Sequence, residues 1–376
     1  MQFIALTHRG IEDVARKELE ELGAKSCEES IGCVAFESDI STVIAIIHRA
    51  QSISRVLASG WQGTATSPDE IAAAVKKDGI KESSLFSNQK TFKVATDRSG
   101  DHGYASDEVN RAVGGTIIDK YGLKADMETP DALVFVRIID QSIAVGIDLS
   151  GELAVRHYKI FTSKASLKGT VGYALLRLSG FSGKGMFLDP YCADGVVAIE
   201  ATLLSKKMSP RHFEKKEYPC ESFEGFAYAK TIIDKLNTKT VDTRATIKAF
   251  DELLHNVSCA RKNAKIAGVN KEIEFSRSEV EWLDTKLEEK SIDAVATFLP
   301  LASRNVKEST TNKIFKEFFY QCDFILKPKG GLAVLTNAPG IVREYAEEYK
   351  LSIDNEREVW QGQQAMWLFV FSKQKQ

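Results

Sequence analysis

The feature that most constrains this chain is an alternation of short apolar runs and helical-period segments from Leu167 to its end. Val171, Ala174, Leu175 and Leu178 line one side of a helix that stops at Gly180. Met186-Phe187-Leu188, Ile247–Phe250, Glu272–Phe275, Ile292–Phe298 and Leu332–Thr336 read as strands. Val196–Leu204, Leu253–Ala267, Ile314–Leu326 and Ile341–Tyr349 read as the helices between them. Such βα alternation predicts an α/β fold with a mostly parallel, doubly wound sheet covered on both faces. Two last strands, Leu351–Val359 and Ala365–Phe371, are close enough in sequence to pair antiparallel. Residues 205–243 are polar and Lys-rich and interrupt the alternation, so they read as an insertion.

The first half reads as two smaller α/β modules. Residues 2–6 form a strand, and Ile11, Val14, Ala15, Leu19 and Leu22 recur at helical spacing before Gly23. Val34-Ala35-Phe36 is a second strand, and Val43, Ile44, Ile46 and Ile47 lie on a second helix of a module over 1–61. The second module, 62–150, holds a helix from Pro68, a strand over Lys90–Thr96 and a helix from Ser106 to Lys120. It ends in two strands, Leu133–Ile139 and Ile143–Asp148, turning at Asp140-Gln141-Ser142. Residues 151–164 form a linker, and 165–376 make up the doubly wound domain.

Composition narrows the function classes. The hydrophobic fraction of 43% supports sizeable cores. The net charge of −2 gives no global affinity for nucleic acid, so any such contact needs a local basic face. No apolar run is long enough to span a bilayer, and Met1-Gln2-Phe3-Ile4 lacks the features of a signal peptide. The 6 cysteines form no Cys-x-x-Cys pair, and no His/Cys cluster has metal-ligand spacing. A cytoplasmic protein with reduced thiols and no metal is the expectation.

The turn after the first strand of the long domain carries the chemistry. Leu188-Asp189-Pro190-Tyr191-Cys192-Ala193-Asp194-Gly195 leaves a strand and opens a helix. In doubly wound sheets, ligands sit over such turns, at the carboxyl ends of the strands. The turn has one of the glycines of a G-x-G-x-x-G dinucleotide fingerprint, which argues against an NAD-type oxidoreductase. S-adenosylmethionine (SAM) has no pyrophosphate. It needs acceptors for its ammonium, its ribose hydroxyls and its adenine amino group. Asp189, Asp251 and Glu279 follow three successive strands and suit those tasks in that order. Tyr191, Ala193, Asp194 and Gly195 complete the expected cofactor set, with Gly195 allowing close backbone approach. Taken singly, Asp251 and Glu279 also fit plain surface acids, and Asp189 a helix cap.

Residues 165–204 resemble the start of the methyltransferase domain in RNA N2-guanine methyltransferases, whose turn reads D-P-F-C-G-S-G-T-x-x-I-E. Here Asp189-Pro190-Tyr191-Cys192-Ala193-Asp194-Gly195-Val196 and Ile199-Glu200 match it. Residues 90–150 resemble a THUMP domain, an RNA-binding module, through Phe92-Lys93-Val94, Asp97–His102, Ser106, Gly114-Gly115, Pro130-Asp131 and Val145–Asp148. The N-terminal module resembles the ferredoxin-like domain that precedes THUMP in these enzymes. The resemblance implies a Rossmann-like methyltransferase domain, SAM as cofactor, tRNA as partner and methylation of guanine N2.

In that family the fourth strand ends in N-P-P-Y or D-P-P-Y, whose Asn and following carbonyl hold the target amino group. The corresponding stretch here is Phe298-Leu299-Pro300-Leu301, followed by Arg304. The side-chain acceptor and the stacking ring are absent, and the backbone acceptor at Leu299 remains. A catalytically impaired RNA-binding protein on the same scaffold is therefore the alternative to an active enzyme. For the RNA face, Lys93, Arg98, His102 and Arg111 surround one strand–loop–helix, and Arg156, Tyr158 and Lys159 follow in the linker. Basic residues interleaved with rings suit phosphate contacts and base stacking. A solvated mixed-charge surface is the plainer reading for any one of them. No motif fixes the target nucleotide or an oligomeric state.

Overall fold

The computed structural model describes residues 1–80, 83–163, 165–214, 217–300, 308–362 and 364–373. The chain divides into two compact units: Met1–Leu153 with the described part of Lys215–Thr238, and Ala154–Glu214 with Lys239–Gln376.

The first unit opens with β1 (Gln2–Leu6), α1 (Glu12–Glu21), β2 (Lys25–Ser30), β3 (Cys33–Glu37), α2 (Ile40–Arg49) and β4 (Arg55–Thr64). This βαββαβ order has two strands more than the sequence pattern revealed. It continues with α3 (Pro68–Asp78), β5 (Thr91–Ser99), α4 (Ser106–Tyr121), β6 (Lys124–Ala125), β7 (Ala132–Ile139) and β8 (Ser142–Asp148). All eight strands join one sheet in the order β2-β3-β1-β4-β8-β7-β5-β6. Local chemistry sets the helix starts: Asp39 accepts from Thr42 N at 2.8 Å, and Ser67 accepts from Glu70 N at 3.3 Å. Ser106 is the first residue of α4; Ala105 is the cap, and its N–H donates to the Glu108 carboxylate at 2.7 Å.

The insertion expected within the long domain sends its middle into this first unit. Cys220, Phe223, Phe226 and Ala229 are buried in the same core as Ile44, Ile47 and Leu153. A helix, α7 (Ala229–Asn237), packs on α2. Its Asn237 Oδ1 lies 2.9 Å from His48 Nε2, and Tyr218 Oη lies 2.9 Å from His48 Nδ1.

The second unit contains α5 (Gly169–Leu178), β9 (Lys184–Asp189), α6 (Val196–Lys206), β10 (Arg244–Asp251), α8 (Leu254–Ile266), β11 (Ile273–Arg277), α9 (Leu283–Lys286) and β12 (Ile292–Phe298). It closes with α10 (Glu308–Ile325), β13 (Leu326–Thr336), α11 (Pro339–Glu348), β14 (Leu351–Gln361) and β15 (Gln364–Lys373). The sheet order is β11-β10-β9-β12-β13-β15-β14, parallel from β11 to β13, with β15 antiparallel to both of its neighbours, β13 and β14. Leu188, Phe250, Val295, Leu332 and Val334 form one sheet face, buried with Phe315, Phe318 and Phe319 of α10 and Val342 of α11. The order reverses at β9, so its carboxyl end is the switch point where such sheets bind ligands. Among the described residues, no helix is long and apolar enough to cross a membrane.

Candidate functional site

β9 delivers Asp189 to that switch point. Its carboxylate is buried and accepts a hydrogen bond from Thr297 Oγ1 of β12 at 2.7 Å. Burial lifts its pKa to about 7; the Thr297 bond opposes the shift, and the charge of Asp251 adds to it.

The turn itself is fixed by backbone bonds. Cys192 N donates to Phe250 O at 2.8 Å, and Gly195 N donates to Cys192 O at 2.7 Å. Ala193 has φ +50° and Gly195 φ +86°, both in the left-handed region. A Cβ on Gly195 would stand 2.8 Å from the Cβ of Ala260. Close packing of the turn on α8 thus calls for glycine here, apart from any approach of a ligand to its backbone.

Asp251 ends β10 and is buried beneath the same turn. Its Oδ2 accepts from Ala193 N at 3.0 Å, and its Oδ1 accepts from Leu253 N at 2.9 Å and Asn256 Nδ2 at 3.0 Å. Burial raises its pKa despite these bonds. Two carboxylates from adjacent strands thus face one turn, and each is drawn toward its neutral form. Such a pair gains from any ligand that brings hydroxyl or ammonium donors.

Glu279 is exposed just beyond β11 and caps the short turn Val280–Trp282. Sequence reasoning missed Glu252, whose pKa is raised by partial desolvation, then by the charges of Asp251 and Glu279. Its place directly after a strand-end acid was the available signal. Tyr191 is buried, 6.1 Å from the Phe318 ring, and its hydroxyl has no hydrogen-bond partner among the described residues. Asp194 is buried and accepts from Ser166 Oγ. At the end of β12, Phe298 and Leu299 are buried, and Leu299 N donates to Leu335 O at 3.0 Å. Pro300 is half-buried, and Leu301 and Arg304 lie outside the described residues.

The basic residues divide sharply. In the first unit, Lys93 Nζ donates to Met127 O at 3.1 Å, and Arg98 donates to Tyr104 O. His102 Nε2 lies 2.6 Å from Asp140 O, and Arg111, exposed on α4, donates to Asp107 O at 3.3 Å. These four remain at the surface of one unit. In the second unit, Arg156 and Tyr158 are core residues, which corrects their expected role at an RNA face. Arg156 Nε donates to Glu200 Oε1 at 2.7 Å, one of its Nη atoms donates to Oε2 at 3.3 Å, and Tyr158 Oη donates to Oε1 at 2.6 Å. An acid inside the apolar helix Val196–Lys206 needs such partners, and Glu200 in that run was the signal. Lys159 is half-buried and donates to Leu167 O, and burial lowers its pKa. Among the described residues, no group of three or more His, Cys, Asp or Glu could hold a metal ion.

A doubly wound sheet with an antiparallel β15 and strand-end acids around its switch point defines a Rossmann-like methyltransferase domain. The chain belongs to the RMKL-like methyltransferase domain family, whose model matches residues 156–365. A THUMP domain matches residues 65–148, and an RlmL ferredoxin-like domain matches 2–57. The chain is 25% identical to the tRNA (guanine(6)-N2)-methyltransferase of Methanocaldococcus jannaschii, covering 96% of this chain and 97% of that one. It is 27% identical to the ribosomal RNA large subunit methyltransferase K/L of Photobacterium profundum, over 74% of this chain but only 40% of that one. The crystal structure of SMU.472, solved in complex with SAH, shares the fold with a TM-score of 0.78 at 19% identity, over 100% of this chain and 98% of that one.

Proposed function

We propose that this protein transfers a methyl group from SAM to the exocyclic N2 of a guanine in tRNA. The observation that carries the reading is the meeting of Asp189 and Asp251 at the switch point of a methyltransferase sheet, in a chain that also holds a THUMP domain. The match along nearly the whole tRNA enzyme, against less than half of the ribosomal one, supports tRNA as the substrate. The free, mostly buried cysteines suit a reducing cytoplasm.

The residues fit SAM. Asp189, buried with its pKa lifted to about 7, gains from pairing with an ammonium. Asp251 keeps acceptor capacity on Oδ2, and with Glu252 it suits a ribose diol. Glu279 suits the adenine amino group, and the unpaired Tyr191 hydroxyl adds a donor beside the turn. The bound cofactor supplies an activated methyl group on a good leaving group, so the protein's contribution is positioning. At the end of β12, the carbonyl of Leu299 is the acceptor for the target amino group. Lys93, Arg98, His102 and Arg111 provide the tRNA face of the THUMP unit.

A second reading rests on Phe298. An apolar ring stands where the family has its Asn acceptor, and it is 6% exposed. Loss of a positioned acceptor costs about 10²-fold or more in rate. That substitution favours a slow or non-catalytic tRNA-binding protein. One experiment separates the two: labelled SAM, tRNA and the full-length protein, followed by nucleoside mass spectrometry. N2-methylguanosine is the expected product. Protein that binds SAH and tRNA yet leaves tRNA unlabelled would replace the first reading with the second.

A further inference from the structure

Two short stretches of chain, Ile160–Phe161 and Ser166–Lys168, run beside the cofactor turn and are tied to it by side chains from distant elements. Asn263 of α8 is fully buried. Its Oδ1 accepts from Ile160 N at 3.2 Å and Phe161 N at 3.0 Å. Its Nδ2 donates to Phe161 O at 2.8 Å and to Asp194 O, in the turn, at 2.9 Å. The four contacts use the full capacity of a carboxamide. Reversing the amide would set its NH2 against two N–H donors, so the orientation is unique.

Asp194 makes the second tie, through its side chain to Ser166 Oγ. Ser166 is held from its other side, because its carbonyl accepts from Gln361 Nε2 at 3.3 Å. Gln361 Oε1 in turn accepts from Lys168 N at 2.6 Å. The backbone carbonyl and the carboxylate of Asp194 are therefore both engaged by the protein.

We infer that Asp194 and Asn263 are positioning residues, which shape the turn for its ligand without touching that ligand. This gives Asp194, a member of the expected cofactor set, a role through the protein instead of through the ligand, and it rests on the reading that the turn receives SAM. The Asp194 carboxylate is engaged by Ser166, by the backbone of Ser163 and by the nearby charge of Lys159, all groups of the protein, so an acceptor oxygen at this position matters more than a charge offered to the ligand. An Asn at 194 keeps an acceptor for Ser166, and the serine hydroxyl can also turn to accept from the new amide.

The test is calorimetric titration of the full-length protein with SAH, alongside tRNA affinity from fluorescence anisotropy. Asp194→Ala and Asn263→Ala should each weaken SAH by about tenfold or more, since each leaves buried groups unpaired. Asp194→Asn should stay within about threefold of the wild type. tRNA affinity should be unchanged in all three. Asp194→Asn as damaging as Asp194→Ala would show that the charge itself is required at the site, and the inference fails. An equal loss of tRNA affinity would mark general disruption and also overturn it. Should Asn263→Ala fail to fold by circular dichroism, Ser166→Ala removes the partner of Asp194 from a half-buried site. It should reproduce Asp194→Ala, and wild-type affinity there would refute the inference. Wild-type protein that binds no SAH at all would instead remove the SAM reading on which the inference rests.

Discussion

Asp189 shows what a single buried carboxyl does to the ligand-free protein. Its pKa rises from an ordinary 3.8 to about 7 on folding, mainly through burial. Between those values the folded chain holds a proton that the unfolded chain has released. Stability therefore falls as pH rises from about 4 to 7, and the full penalty persists above 7. Asp189→Asn keeps the acceptor for Thr297 and removes the charge. Thermal melts should show a rise in Tm that is large at pH 8 and shrinks toward pH 4.5, and a gain independent of pH would contradict the assignment. Ala193 offers a second residue-level test. Its φ of +50° is costly for an L side chain, by about 1–2 kcal/mol, whereas glycine adopts it freely. Ala193→Gly should stabilise the protein by about 0.5–1 kcal/mol in urea melts, net of the entropy glycine loses on folding. Destabilisation would mean that the alanine methyl matters more than the backbone relief. The strand-end acids were legible in the sequence because strand, turn and helix order places them. The burial of Arg156 and Tyr158 was not, because it depends on Glu200, 44 and 42 residues away.

Strand ends carry the same lesson at the scale of elements. β12 brings Thr297 to Asp189 and, one residue later, buries Phe298. Phe298→Asn supplies the family's acceptor and removes a buried ring, two effects that oppose each other. It should lower stability by about 2–4 kcal/mol while raising methyl transfer per folded molecule. Chemical denaturation with single-turnover methylation measures both, and an unchanged rate in folded protein would place the acceptor elsewhere. The parallel strands of the second unit were readable as apolar runs because both faces of such a sheet are covered. β2 was not, since Lys25-Ser26-Cys27-Glu28-Glu29-Ser30 is a largely exposed edge strand with no inward face to mark it. β4 escaped notice for another reason: its register shifts between Ser59 and Trp61, which breaks the alternation that identifies a strand.

Across the whole molecule, the chain leaves the methyltransferase unit and returns to it, completing the first unit on the way. Sequence periodicity showed that 205–243 interrupts the βα alternation, but an amphipathic segment does not name its partner. The structure does: Cys220, Phe223, Phe226 and Ala229 are each at most 2% exposed within the first unit's core. Cys220 N donates to Leu149 O at 2.9 Å, and His48, 2% exposed, lies between Tyr218 and Asn237. A fragment ending at Leu153 thus lacks part of its own core and takes Tyr218 and Asn237 away from the His48 ring. Two buried Phe side chains contribute roughly 1.5–3 kcal/mol each, enough to unfold a marginal unit. The 1–153 fragment should bind a hydrophobic dye and melt at low temperature with poor cooperativity. Joining 217–238 to Leu153 through a short Gly/Ser linker should restore a cooperative melt, because Cys220 already lies beside Leu149. The restored unit should also bind tRNA with a steep salt dependence, since phosphate contacts release counterions. A 1–153 fragment as stable as the joined form would show that the returning segment decorates a core already complete without it.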